Sequence, residues 1–393
     1  MAEFDFDKAP DHRADGSYRW EEPEGYGDVV GMGTADLDFP CAPAIRDALR
    51  PIVETNTYNY RANRRELEDA LVAWYERNYG LTLTRDSLFA VPGTLAAVRL
   101  ALGVLLRRPH AQVLVQYPCF GPIREMVKLS GARLLRNRMR LENGRYEVDF
   151  EDFEEKVREE RPAAFVLVSP QNPTGRLFSK DELARMAMVC AKYHVPVISD
   201  EVHSLMPHGG RKFTPFLAVS PEARAVGIQV MSMSKGFNLM NLPKAFVAIE
   251  NPDFRKRFAE QVEAHSFSYA FNPYADAAAL TVLEGKADSW LGEATAYIEA
   301  NIAHAVKFLR EEVPALVPVE PEAGFLLWVD CRALGEDPEK LASLFLEKAR
   351  VSVVNGLDFG KAGAGFVRLN LALTRANLDR ALDGIRRAFG PKA

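Results

Sequence analysis

AAFVLVSPQNPTGRLFSKDELARMAMVCAKYHVPVISDEVH, residues 163–203, contains one complete strand–helix–strand return. AAFVLVS (163–169) and VPVIS (195–199) are short apolar runs rich in β-branched residues, as in strands buried on both faces. Between them, Ser179 and Glu182 stand three apart ahead of an amphipathic stretch. That is a capping-box pattern, and the helix it opens is expected to run to about Tyr193. AQVLVQ (111–116) and AVGIQVMS (225–232) extend the series on either side. Strands alternating with helices predict an α/β fold: a three-layer arrangement with a large, mostly parallel sheet covered on both faces.

Working outward, residues 64–79 have a helical period, with Leu67, Leu71 and Trp74 on one face and Gly80 as the stop. The first 35 residues are polar and rich in Gly and Pro, and read as an extended arm. A long helix is expected over 289–312. FLLWVD (325–330), FVRLNLAL (366–373) and a closing helix bearing Leu378, Leu382, Ile385 and Phe389 then form a smaller α+β unit. The expected division is an arm and part of the small domain over 1–45, the large domain over 46–285 and the small domain over 286–393.

Composition narrows the function classes. The 393 residues carry 49 basic and 54 acidic side chains, a net charge of −5, too mild for a nucleic-acid footprint. Four scattered cysteines without a CxxC pair speak against zinc ribbons and disulfide frameworks. The start, MAEFDFDKAPDHR, is charged where a signal peptide would be apolar. The apolar stretch 95–106 is interrupted by Arg99 and falls short of a membrane span of about 18 residues. A cytoplasmic protein without membrane or nucleic-acid partners is expected.

Three of the strands end in conspicuous polar residues: Asn172 in SPQNPTG, Asp200 in VISDEVH and Lys235 in MSMSKGF. Their separations of 28 and 35 residues each fit one return across the sheet, and ligands of such sheets sit at the carboxyl ends of the strands. Singly, the three read as a turn, a helix cap and a solvated lysine. Together they suit pyridoxal 5'-phosphate (PLP). A desolvated lysine forms a Schiff base with its aldehyde. An aspartate keeps the ring nitrogen protonated, and an amide donates to the phenolate oxygen. Gly93, Thr94 and Leu95 open a helix whose backbone N–H groups favour a phosphate, and Ser232 and Ser234 add hydroxyls beside Lys235. His203 and His208 form no metal geometry with a third ligand, so no metal is expected.

The chain resembles the fold-type I PLP enzymes of the class I/II aminotransferase family over nearly its whole length. It is most similar to the branch of C–S β-lyases typified by cystathionine β-lyases and cystalysin. TADLDFPCAPAIRDAL, QNPTGRLFSKDEL, ISDEVH, SKGFNL, EGKADSWLGEATAYIEAN and GLDFGKAGAGFVRLNLAL carry the likeness. The resemblance implies an aspartate-aminotransferase-type fold with Lys235 as the catalytic, cofactor-bearing residue and Asp200 on the ring nitrogen. It implies Asn172 and His203 flanking the phenolate oxygen, where many aminotransferases have Tyr in place of His203, and Phe120 stacking on the ring. Tyr60 would reach the phosphate of the neighbouring subunit of a homodimer. Arg368 would clamp the substrate carboxylate, with Ala35 beside it.

Departures from the branch are informative. An arginine usually stands eight residues after the lysine, where this chain has Pro243; the lyase branch also lacks it, and Lys244 next to it is expected to face solvent. Gly33 replaces a usual tryptophan and Phe120 a usual tyrosine, which predicts a pocket for a bulkier amino acid than cystathionine. The reaction expected first is α,β-elimination of a thioether amino acid to pyruvate, ammonia and a thiol. Transamination to a 2-oxo acid, and replacement or γ-position chemistry on a bulkier amino acid, use the same lysine and stay open. A ligand-sensing regulator would need a DNA-binding module, for which the sequence offers neither a helix-turn-helix nor a basic stripe.

Overall fold

A computed structural model describes residues 3–21, 26–57, 59, 65–267 and 272–391. Its centre is an eight-stranded mixed sheet. In chain order the strands are β1 (Leu88–Val91), β2 (Gln112–Tyr117), β3 (Arg133–Glu142), β4 (Arg145–Val148), β5 (Ala164–Val168), β6 (Val197–Asp200), β7 (Gly227–Met231) and β8 (Ala245–Ala248). They lie in the order β1-β8-β7-β6-β5-β2-β3-β4. The stretch from β7 to β3 is parallel, while β1, β8 and β4 pair antiparallel at the two ends. Every residue of β5, β6 and β7 is buried, so each apolar side chain there contributes roughly 1.5–3 kcal/mol by leaving water.

The capping box forms as read: Ser179 Oγ accepts from the Glu182 N–H at 3.2 Å and Glu182 Oε2 from the Ser179 N–H at 2.7 Å. The helix spans Lys180–Lys192. The expected strand at 225–232 begins two residues late, because Ser220 caps a short helix, Pro221–Val226, that takes its first residues.

A second sheet of four strands, β9 (Val317–Val319), β10 (Leu326–Asp330), β11 (Val354–Asn355) and β12 (Phe366–Asn370), has the order β9-β10-β12-β11 and is antiparallel throughout. The helix Asp288–Glu312 leads to it, and Arg375–Phe389 buries Leu378, Leu382 and Ile385.

The N-terminal arm departs from the extended, polar reading. Phe6, Trp20, Val30 and Met32 are buried, with the Phe6 ring 5.1 Å from that of Phe39. Val30–Gly31 pairs with Val351–Ser352. A few apolar residues, spaced among many polar ones, are enough to dock the segment against distant parts of the chain. No helix among the described residues is long and apolar enough to cross a membrane.

Candidate active site

Parallel strands place their carboxyl ends on one edge. Asp200 closes β6, Asn172 follows β5 by four residues, and Lys235 follows β7 by four within the short helix Ser234–Phe237. All three line one cavity of about 920 Å³, together with His203, Phe120, Thr94, Leu95, Ala35 and Arg368. Arg368 comes from the second sheet, out of the middle of β12, so the site is closed by the two sheets jointly.

Burial dominates the electrostatics. Lys235 Nζ donates to the Ala35 carbonyl. Its ammonium is disfavoured first by burial and then by the Arg368 charge, which brings its pKa down to about 8. Asp200 is pushed up to about 6 by burial, opposed by the Val202 N–H that donates to its Oδ1 at 3.3 Å and by the Lys235 charge. His203 falls to about 3 through burial and the neighbouring Lys235 and Arg368, so its imidazole is neutral at physiological pH.

Arg368 is the most informative group. It is 4% exposed, and Nη1 donates to Asn172 Oδ1 at 3.0 Å and Nη2 to the Gly33 carbonyl at 2.8 Å. Its Nε is buried without a partner, and burial lowers its pKa to about 10. Among the described residues no carboxylate lies within ion-pair distance of it, and the charge of Asp358 offsets the effect of burial only in part. A buried guanidinium with no direct ion-pair partner is costly, and a bidentate carboxylate ligand would supply what is missing.

The remaining expected residues lie beside this wall rather than in it. Gly93 has φ +104°, a conformation side chains rarely adopt, and immediately precedes the helix Thr94–Leu105. Ser232 Oγ is 2.7 Å from the Lys244 carbonyl and 3.1 Å from Ser234 Oγ, and it accepts from the Ser234 N–H at 3.2 Å. That arrangement braces the turn bearing Lys235. Tyr60 lies outside the described residues. Lys244 is a correction: it is not solvated but largely buried against Asp276, with which it forms an ion pair.

The family model described as aminotransferase class I and II matches residues 27–385. The chain belongs to the class I and II aminotransferase family. It is similar to "Cystathionine beta-lyase PatB" of Bacillus subtilis, 31% identical over 385 residues covering 97% of this chain and 98% of that one. Among solved structures, a PLP-bound putative aminotransferase from Clostridium difficile is 31% identical, with a TM-score of 0.93 over 98% of this chain and 100% of that chain. A PLP-bound C–S lyase from Staphylococcus hominis is 27% identical, with a TM-score of 0.90 over 98% and 99%.

This aminotransferase-family site also contains groups that the sequence reading passed over. Arg19 is buried, donating to the Gly31 carbonyl at 2.7 Å and lying 3.2 Å from Asp36 Oδ1 and 3.3 Å from Asp38 Oδ1. Asp36 is held up by burial and drawn down by Arg19 and Lys235, which makes it a second anion facing the lysine. Ser352, Val353 and Val354 complete the front wall. No local pattern marks them: Ser352 reaches the cavity through its pairing with Gly31, and Val354 through its pairing with Arg368.

Proposed function

We propose that the protein is a PLP-dependent C–S β-lyase. It would convert a thioether amino acid and water to pyruvate, ammonium and a thiol. The observation that carries this reading is the pairing, in one cavity, of a buried lysine of lowered pKa with a buried arginine fork that has no carboxylate within ion-pair distance among the described residues.

The residues present fit PLP. Its aldehyde needs a neutral amine, and Lys235 is the buried candidate. Its ring nitrogen needs an anion, and Asp200 lies at the cavity with only a long backbone hydrogen bond to occupy it. Its phosphate needs donors, which the first turn of the twelve-residue helix Thr94–Leu105 offers, with Gly93 adopting the turn that opens it. Asn172 and the neutral His203 flank the same space. When bound, the cofactor supplies an electron sink for the pair released at the substrate Cα.

The protein's own part is positioning and proton transfer. Arg368 binds the α-carboxylate through its planar fork, and Asn172 fixes that fork by accepting from Nη1. Fixing the carboxylate limits rotation of the substrate and so holds one Cα–H bond in a reactive orientation. Lys235 Nζ takes the Cα proton as general base, its lowered pKa leaving a usable neutral fraction near pH 7. The family resemblance supports a homodimer as the working unit, in the cytoplasm, with Tyr60 serving the neighbouring subunit's site and the domain division at about residue 285.

The test is to load the protein with PLP, incubate it with thioether and plain amino acids, and assay pyruvate, ammonia and free thiol. Equal amounts of all three support the lyase. Stoichiometric 2-oxo acid without ammonia would replace it with transamination.

A further inference from the structure

Gly33 is a glycine that its surroundings do not require. Its φ is not positive, and a Cβ added there would meet nothing nearer than Val354 Cγ2 at 3.7 Å and Ser352 Oγ at 3.8 Å. Gly31 is the contrast: a Cβ there would fall 2.2 Å from the Arg19 carbonyl oxygen. Neither backbone strain nor overlap therefore accounts for glycine at position 33, where the missing side chain costs unfolded-state entropy. What it leaves is cavity space. Gly33 shares this wall with Pro122, Val353 and Val354, and its carbonyl accepts from Arg368 Nη2 at 2.8 Å. The room therefore opens beside the fork that would hold a carboxylate.

The surroundings also state what chemistry the room suits. Three apolar side chains form its wall, and the Arg19 guanidinium, although its Nη2 has no hydrogen-bond partner among the described residues, has its charge already offset by Asp36 and Asp38. Glu21, exposed at the rim, has no ion pair among the described residues. With Arg368 taken by the substrate's α-carboxylate, a further anionic group would meet Glu21 with no unmatched cation to offset it, whereas an apolar group would bury against Val353 and Val354. The cavity of about 920 Å³ has to take both cofactor and substrate, and glycine at position 33 adds a side chain's volume to the substrate's share.

We propose that the space left by Gly33 is a side-chain subsite that selects cysteine S-conjugates with a bulky, uncharged, apolar substituent over compact or anionic ones. The proposal rests on the β-lyase reading for its substrate class, but the subsite can be measured without turnover.

The experiment compares PLP-loaded wild type with Gly33→Ala, Gly33→Leu and Gly33→Trp on S-methyl-, S-benzyl- and S-(2-carboxyethyl)cysteine. Expected for the wild type is a kcat/KM at least about 10-fold higher on the benzyl conjugate than on the other two. Gly33→Trp should lower the benzyl-to-methyl ratio by about 10- to 100-fold, Gly33→Leu by less, and Gly33→Ala by under about 3-fold. In parallel, calorimetry gives Kd for N-acetyl-S-benzylcysteine and N-acetyl-S-methylcysteine, whose blocked amines cannot react with the cofactor. Their Kd ratio should shift in the same order across the variants. A ratio unmoved by both the leucine and tryptophan variants, or a wild type that prefers the methyl or carboxyethyl conjugate, overturns the subsite. Absence of thiol and pyruvate from all three conjugates would instead remove the lyase reading, and the Kd ratios would still decide the subsite.

Discussion

Replacing Arg368 with methionine separates what this side chain does for the site from what it costs the fold. The guanidinium is fully enclosed, and its pKa falls well below its ordinary value to about 10, mostly through burial. Both the folded and unfolded values lie above 7, so at neutral pH the penalty for burying the cation is fully present. At about 1.4 kcal/mol per unit it amounts to roughly 3 kcal/mol of stability forgone. Against this, methionine loses the hydrogen bonds to Asn172 Oδ1 and the Gly33 carbonyl, together worth about 3–4 kcal/mol as charged donors. The two effects nearly cancel. The cofactor-free Arg368→Met protein should then unfold within about 2 kcal/mol of wild type, a few degrees in Tm by scanning calorimetry. Activity should behave differently. Losing a bidentate contact to the substrate carboxylate removes about 3–4 kcal/mol, so kcat/KM should fall by about 10²–10³, with Arg368→Lys recovering little of it. A variant that unfolds far below wild type yet turns over substrate within about 3-fold would refute this reasoning, since Arg368 would then be a structural cation.

Other outcomes follow from the same geometry. Cofactor uptake by the cofactor-free protein requires neutral Lys235, so its rate, followed by absorbance, should rise through about pH 8 and level off above. Lys235→Ala should show no uptake and no borohydride-fixed adduct on its peptide. Asp200 is raised to about 6 from 3.8, so its folded carboxyl holds a proton that the unfolded chain has released, and its contribution should weaken as pH climbs from about 4 to 6. Asp200→Asn should flatten that decline in denaturant titrations while abolishing activity. Lys244→Met strands Asp276 in a mostly buried position and should destabilise the protein by about 3–5 kcal/mol, with Lys244→Met/Asp276→Leu regaining much of it.

How legible the site was in the sequence depended on where each residue sits relative to the buried strands. Asn172, Asp200 and Lys235 are legible because β5, β6 and β7 are buried and mostly apolar, so polar residues at or just past their ends stand out at the sheet edge. β3 and β4 escaped notice because RLLRNRMRLE and RYEV lie at the end of the sheet, with half-exposed residues and arginines interleaved. β1 and β8 are only four residues each and pair antiparallel, outside the strand–helix–strand rhythm. Lys244 reads as solvated because its partner, Asp276, lies in the helix Pro273–Leu283, well along the chain, and leaves no local mark. Arg19, Asp36 and the wall at 352–354 are products of tertiary docking, which periodicity does not encode.

The docking of residues 30–34 has a consequence for synthesis of the protein. The Met32 N–H is bonded to the Ser352 carbonyl at 2.8 Å, the Asn370 N–H to the Met32 carbonyl at 2.8 Å, and Asn370 Nδ2 to the Thr34 carbonyl, 336 positions away. A nascent chain still lacking its final strand therefore exposes a half-built cleft, with Lys235 already translated and unshielded. Closing so large a loop is slow, because its entropy is lost before any contact repays it. The cleft becomes competent only after the ribosome has delivered residue 370, which ties the first catalytic turnover to synthesis of β12.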